Sequence, residues 1–126
     1  MRRLLLPLLL MAFGAAAQSP HMALSTKTVD LGLLDKGAVT VDSAYIINTG
    51  TEPLVIQYIS SDCGCTVPRY SQQPIAPGDS TVVVVKFNAG SRDPGDFRKT
   101  LRIRSNADNS PMLLFVGGRI KRQLKR

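Results

Sequence analysis

Gly, Pro and Asn recur at short intervals and cut everything after the first seventeen residues into segments of strand length. The blocks "DKG" (Asp35–Gly37), "NTGTEP" (Asn48–Pro53), "PIAPGDS" (Pro74–Ser80), "GSRDPGD" (Gly90–Asp96) and "SNADNSP" (Ser105–Pro111) are turn chemistry. Glycine accepts a positive φ, as expected at Gly50, and proline restarts an extended chain, as expected at Pro53. Between these blocks no long run repeats every 3.6 residues, so the pattern predicts strands throughout.

The strands are read over Thr28–Leu31, Val41–Ile47, Leu54–Ser60, Thr81–Asn88, Phe97–Arg104 and Met112 to about Ile120. Alternation is clearest after the fourth turn block. There Phe97, Leu101 and Ile103 point one way, while Arg98, Thr100, Arg102 and Arg104 point the other. Lys99 departs from the pattern, and its aliphatic stem fits over a sheet edge. Val82–Val85 is an unbroken valine run, which predicts a central strand covered on both faces. About seven short strands in roughly 100 residues predict an all-β, immunoglobulin-like antiparallel Greek-key sandwich. An inter-sheet disulfide is excluded because the two cysteines, Cys63 and Cys65, are two positions apart, and there is no tryptophan for the core. Packing is therefore expected from Val, Ile, Leu and Phe.

Residues 1–17, "MRRLLLPLLLMAFGAAA", join Arg2 and Arg3 to an apolar run and then to small residues at Ala15 and Ala17. This is the grammar of a cleaved secretory signal, too short for a membrane span, with cleavage expected after Ala17. A secreted or periplasmic location follows, with no transmembrane segment in the mature chain. Residues 18–26 are expected to be a flexible lead-in, 27–120 the sandwich and 121–126 a basic tail.

The formal charge of +7 is unevenly spread. Between Gln18 and Gly118, nine basic residues balance nine acidic ones, so the body is neutral. The excess lies in Arg2 and Arg3 and in Arg119, Lys121, Arg122, Lys125 and Arg126. That C-terminal cluster suits screened contact with an anionic surface, or simply a solvated terminus. It contains no aromatic residue on which a base could stack, and nucleic acid is not expected as a partner.

Cys63 and Cys65 sit in "SSDCGCTVP", Ser60–Pro68. In an extended strand both sulfurs face one side, with Cα atoms about 6.8 Å apart, near the outer limit for a disulfide. Gly64 permits the bend that shortens this span. Closing so small a loop stabilises weakly, which favours local rigidity or redox chemistry over global stapling. Two thiolates around a glycine also suit Cu(I), with Met22 and Met112 as candidate helpers. A zinc site needs about two further ligands, and His21 is the sole histidine. The same lack of a base argues against cysteine catalysis, so neither an enzyme nor a cofactor is expected. In the structural reading the cysteines are small apolar residues and Gly64 serves a tight backbone crossing. Thr66, Val67 and Pro68 then form an edge strand that Pro68 blunts.

"IINTGTEPLVI", "SSDCGCTVPRYSQQPIAPG", "VVVVKFNA" and "FRKTLRIRSNA", in this order, closely resemble the bacterial secreted family catalogued as domain of unknown function 1573. That family is similar to Hydin-type and major-sperm-protein-like immunoglobulin modules. The resemblance runs from about Val39 to about Gly117 and implies an extracytoplasmic sandwich without supplying a reaction. Asp62 stands where relatives carry serine or another small residue, and an anion there disfavours a thiolate at Cys63. The fold analogy implies a noncatalytic module that binds another envelope component through a sheet face or edge. The competing class is a thiol-based redox or Cu(I) site. No oligomeric state follows from the pattern.

Overall fold

A computed structural model describes residues 18–90 and 92–122; the signal expected over residues 1–17, and Lys125 and Arg126 of the tail, lie outside them. The strands are β1 (Met22–Leu24), β2 (Thr28–Leu34), β3 (Val39–Asn48), β4 (Ile56–Ser61), β5 (Thr66–Arg69), β6 (Ser80–Asn88), β7 (Gly95–Ser105) and β8 (Met112–Ile120). Two four-stranded sheets result, ordered β1-β3-β6-β5 and β2-β8-β7-β4. The predicted sandwich is present, with eight strands rather than about seven. One pairing, β2 with β8, is parallel. Only Ser25–Lys27 separate β1 from β2, and across this short connection the chain passes from one sheet to the other instead of folding back on β1.

Inward side chains make the core. On β7, Leu101 and Ile103 are fully buried while Arg98, Arg102 and Arg104 are exposed, as their alternation requires. The valine run behaves differently from expectation. Val83 and Val85 are fully buried, but Val82 and Val84 turn outward, and Val82 is exposed. Pleating divides any four consecutive residues between two faces, and among the described residues no third layer covers the outer one. The core also admits Met22, Ala44 and Asn48, beyond the Val, Ile, Leu and Phe expected. Asn48 is satisfied there: its amide donates to the carbonyls of Glu52 (2.8 Å) and Ile75 (2.9 Å), and its side-chain oxygen accepts from Gly50 N–H (3.0 Å).

The segment 18–26, expected as a flexible lead-in, carries β1 and a set of hydrogen bonds to the sandwich. β1 pairs antiparallel with β3, placing Met22 opposite Asn48. Ahead of it, Thr49 N–H donates to the His21 carbonyl and Thr51 N–H to that of Ser19, both at 2.9 Å. Ser19 Oγ donates to Asp108 (2.8 Å), His21 Nδ1 lies 2.6 Å from the same carboxylate, and Asn109 bonds both main-chain groups of Met22. The special role of Gly50 follows from this crossing, not from a positive φ. A Cβ there would lie 2.3 Å from the Ser19 carbonyl oxygen and 2.5 Å from His21 N.

Two outcomes follow. Gly50→Ala must displace the Ser19–His21 backbone and should cost about 1–3 kcal/mol, read from the midpoint of urea unfolding. The hydrogen bond from His21, and next that from Ser19, hold the Asp108 carboxyl below its ordinary range. A lowered folded-state value contributes stability above the unfolded value, and that contribution is lost as pH falls below about 4. Asp108→Asn should therefore flatten the acid limb of a plot of unfolding midpoint against pH.

Candidate functional site

The Cys-Gly-Cys motif occupies the corner where the chain leaves one sheet for the other: β4 ends at Ser61 and β5 begins at Thr66. The motif is a turn, not an extended strand. Thr66 N–H donates to the Cys63 carbonyl at 3.1 Å, and Ser61 Oγ both donates to that carbonyl (2.7 Å) and accepts from Cys63 N–H (3.2 Å). The turn brings the two cysteine Cα atoms to 5.2 Å, within disulfide reach, and Cys63 and Cys65 are bridged. Gly64 is exposed, and a Cβ there would meet nothing within 4 Å among the described residues. No tight backbone crossing requires glycine at this position.

Beyond the corner, Thr66 is buried opposite Phe87, and Pro68 sits opposite Val85 on the outermost strand of its sheet, the edge strand the sequence predicts. Cys65 is half-buried against the smaller core cluster of Leu34, Phe87, Ala89 and Ile120. Its carbonyl accepts from Asn88 N–H at 2.8 Å, locking the corner to the end of β6.

One participant had no signal in the sequence. Arg92, from the loop after β6, donates from Nη2 to Cys63 Sγ at 3.0 Å. Its Nε is buried and has no hydrogen-bond partner among the described residues. Cys65 N–H also reaches Cys63 Sγ, at 3.3 Å. Asp62, by contrast, turns toward β7 and accepts from Thr100 N–H at 3.0 Å. Gly64, Cys65, Asn88, Ala89, Gly90 and Arg92 together line a depression of about 510 Å³.

Other candidates are not gathered here. Met22 and Met112 pack in the main core, and Met22 Sδ accepts from Ser105 Oγ, whereas Cys65 belongs to the other cluster. His21 is engaged with Asp108. Among the described residues, no three His, Cys, Asp or Glu side chains converge as a metal cluster would require. The basic cluster is partly absorbed by the sandwich: Arg119 Nε bonds Asp96 at 2.8 Å, and Lys121 Nζ lies 3.4 Å from Asp35. Arg122 is exposed. Among the described residues no helix is long and apolar enough to cross a membrane.

Comparison with solved structures supports the fold. A protein of unknown function from Porphyromonas gingivalis W83 superposes with a TM-score of 0.69 at 19% identity, over 86% of this chain and 51% of that one. This chain thus spans about half of that protein. The ASH/PapD-like domain 7 of human CEP192 gives a TM-score of 0.66 at 11% identity, covering 98% of this chain and 96% of that one. The secreted serine protease VesC from Vibrio cholerae gives 0.60 at 14% identity, over 79% of this chain and 23% of that one. At these identities the likeness conveys the fold and no activity. No curated protein matches the sequence. The family model described as "Protein of unknown function (DUF1573)" matches residues 22–120, from the start of β1 to the end of β8. The chain belongs to the DUF1573 family.

Proposed function

We propose that this protein is a noncatalytic extracytoplasmic module, exported by residues 1–17, that binds another cell-envelope component through the outer face of the β1-β3-β6-β5 sheet. The observation carrying this reading is the exposure on that face of Val39 (54%), Val41 (60%), Tyr45 (49%), Val67 (49%) and Val82 (40%). Strand register groups them. Tyr45 is opposite Val82, and Lys86 stands between Val41 and Val67. Single exposed apolar residues are ordinary, but a grouped patch on a sheet face suits an interface.

The edges favour this choice of face. β1 has three residues, β2 is irregular between Asp30 and Leu33, β4 is irregular between Ile56 and Tyr58, and β5 contains Pro68. Short, bulged or proline-bearing edges resist strand addition. Lys86 and Arg69 add positive charge beside the valines, so a partner with an apolar centre and carboxylates at its rim is complementary. The noncatalytic part of the reading rests on family and fold, neither of which supplies a reaction.

A photo-crosslinking residue at position 45, expressed in the full chain, should yield a discrete envelope adduct that is absent when the residue is placed at position 102 on the opposite sheet. Adding Val41→Lys and Val82→Lys should reduce the adduct about tenfold while leaving the thermal unfolding midpoint within a few degrees, as expected for exposed sites. No adduct at position 45, or an undiminished one in the double variant, would remove the face as the binding surface. The export part predicts a mature protein beginning at Gln18 by intact mass; an uncleaved chain retained in the cytosol would overturn it.

A further inference from the structure

We infer that the Cys63–Cys65 corner is a thiol–disulfide exchange site with a fixed polarity: an incoming thiolate attacks Cys65, and Cys63 leaves as a thiolate held by Arg92. This inference stands independently of the binding face.

The polarity comes from the asymmetry of the two sulfurs. Two N–H donors point at Cys63 Sγ, Arg92 Nη2 at 3.0 Å and Cys65 N–H at 3.3 Å. A disulfide sulfur is neutral and a weak acceptor, so these donors gain most when Cys63 carries negative charge. A guanidinium keeps its charge at any ordinary pH, and a cation against a cysteine stabilises the thiolate. Its Nε is buried without a partner among the described residues, so the bridged state leaves part of this cation's hydrogen-bonding capacity unused. The acidic neighbour, Asp62, directs its carboxylate to Thr100 N–H of β7, and the Arg92 cation and Cys65 N–H are the groups that contact Cys63 Sγ itself. Among the described residues, Cys65 Sγ has only the Thr66 hydroxyl within hydrogen-bond reach, at 3.5 Å.

Access points the same way. Cys65 lines the depression and Cys63 does not. Gly64, Ala89 and Gly90 form much of its wall, and their small side chains leave room for a thiol to approach Cys65. The chemistry balances. A thiolate attacks Cys65 Sγ, a new S–S bond forms there, and the Cys63–Cys65 bond breaks with its electron pair passing to Cys63 Sγ. A second thiolate then attacks the incoming sulfur of the mixed disulfide, releasing Cys65 as a thiolate that takes up a proton. The protein gains two electrons and the two thiols leave as a disulfide, so the co-reactant class is a dithiol or a pair of thiols.

Glutathione is the probe. The full mature chain is equilibrated with reduced and oxidised glutathione, quenched by alkylation and read by intact mass and peptide mapping. The trapped intermediate should carry glutathione on Cys65 and the alkyl label on Cys63. Arg92→Gln and Arg92→Met should shift the equilibrium toward the bridged form by about tenfold, the size of one pKa unit of lost thiolate stabilisation. Arg92→Lys should recover most of that shift. Circular dichroism identifies variants that remain folded, and the location of glutathione in the wild-type chain is read regardless of how they behave. Glutathione on Cys63, or an unchanged equilibrium in folded Arg92→Gln, would overturn the proposal.

Discussion

The stack of Phe87 on Phe97, with ring centroids 4.4 Å apart and planes within 5° of parallel, joins the two sheets at one end of the sandwich. Much of the candidate site depends on it. Phe87 is fully buried on β6 and lies opposite Thr66, so its position sets where β5 begins. Cys65 packs on the same cluster, and the chain leaving Phe87 passes through Asn88 and Ala89 before reaching Arg92. The stack in turn needs Gly118. A Cβ there would stand 2.9 Å from Phe97 Cζ and 2.9 Å from the Gly32 carbonyl oxygen. Phe97 can lie flat across β8 because the residue opposite it has no side chain.

What the sequence reveals is what adjacent residues decide. The alternation from Phe97 to Arg104 announces a strand with one wet face, and the Gly, Pro and Asn blocks mark where strands end. Pro68 at an outermost strand is likewise a local signal. Features that depend on remote partners are not legible. His21 and Asp108 meet across 87 positions, and neither residue's neighbours encode the other. Gly50 looks like a turn glycine, although its role is to admit the Ser19–His21 backbone. The valines of β6 look uniformly buried because a run of identical residues carries no alternation from which to read its two faces. Arg92 reaches Cys63 across 29 positions from a loop, so composition offers nothing to distinguish it from other surface arginines.

The two functional readings occupy different structural settings, and this separation has a physical basis. A sheet face presents side chains on rigid backbone, with spacing fixed by the pleat, and suits recognition of a surface. A corner between sheets presents main-chain N–H groups that no ladder consumes, and these can stabilise charge on a neighbouring atom. The face holds Val41, Tyr45 and Val82 on the long β3–β6 ladder, while the corner aims Cys65 N–H at Cys63 Sγ.

The corner also bears on why a disulfide should stand there at all. Thr66 N–H to the Cys63 carbonyl already closes the turn, Ser61 grips Cys63 from behind, and Asn88 N–H holds the Cys65 carbonyl. A bridge between residues two apart adds little to that. On chain-entropy grounds a three-residue loop contributes about 1.6 kcal/mol, against about 3 kcal/mol for a fifteen-residue one. The bond holds no two elements together that hydrogen bonds do not already join. A conformation so fully determined without the bridge can persist when the bridge opens, leaving both sulfurs near one another and Arg92 still beside Cys63. Redundant scaffolding of this kind lets a disulfide break and re-form while the sandwich stays folded.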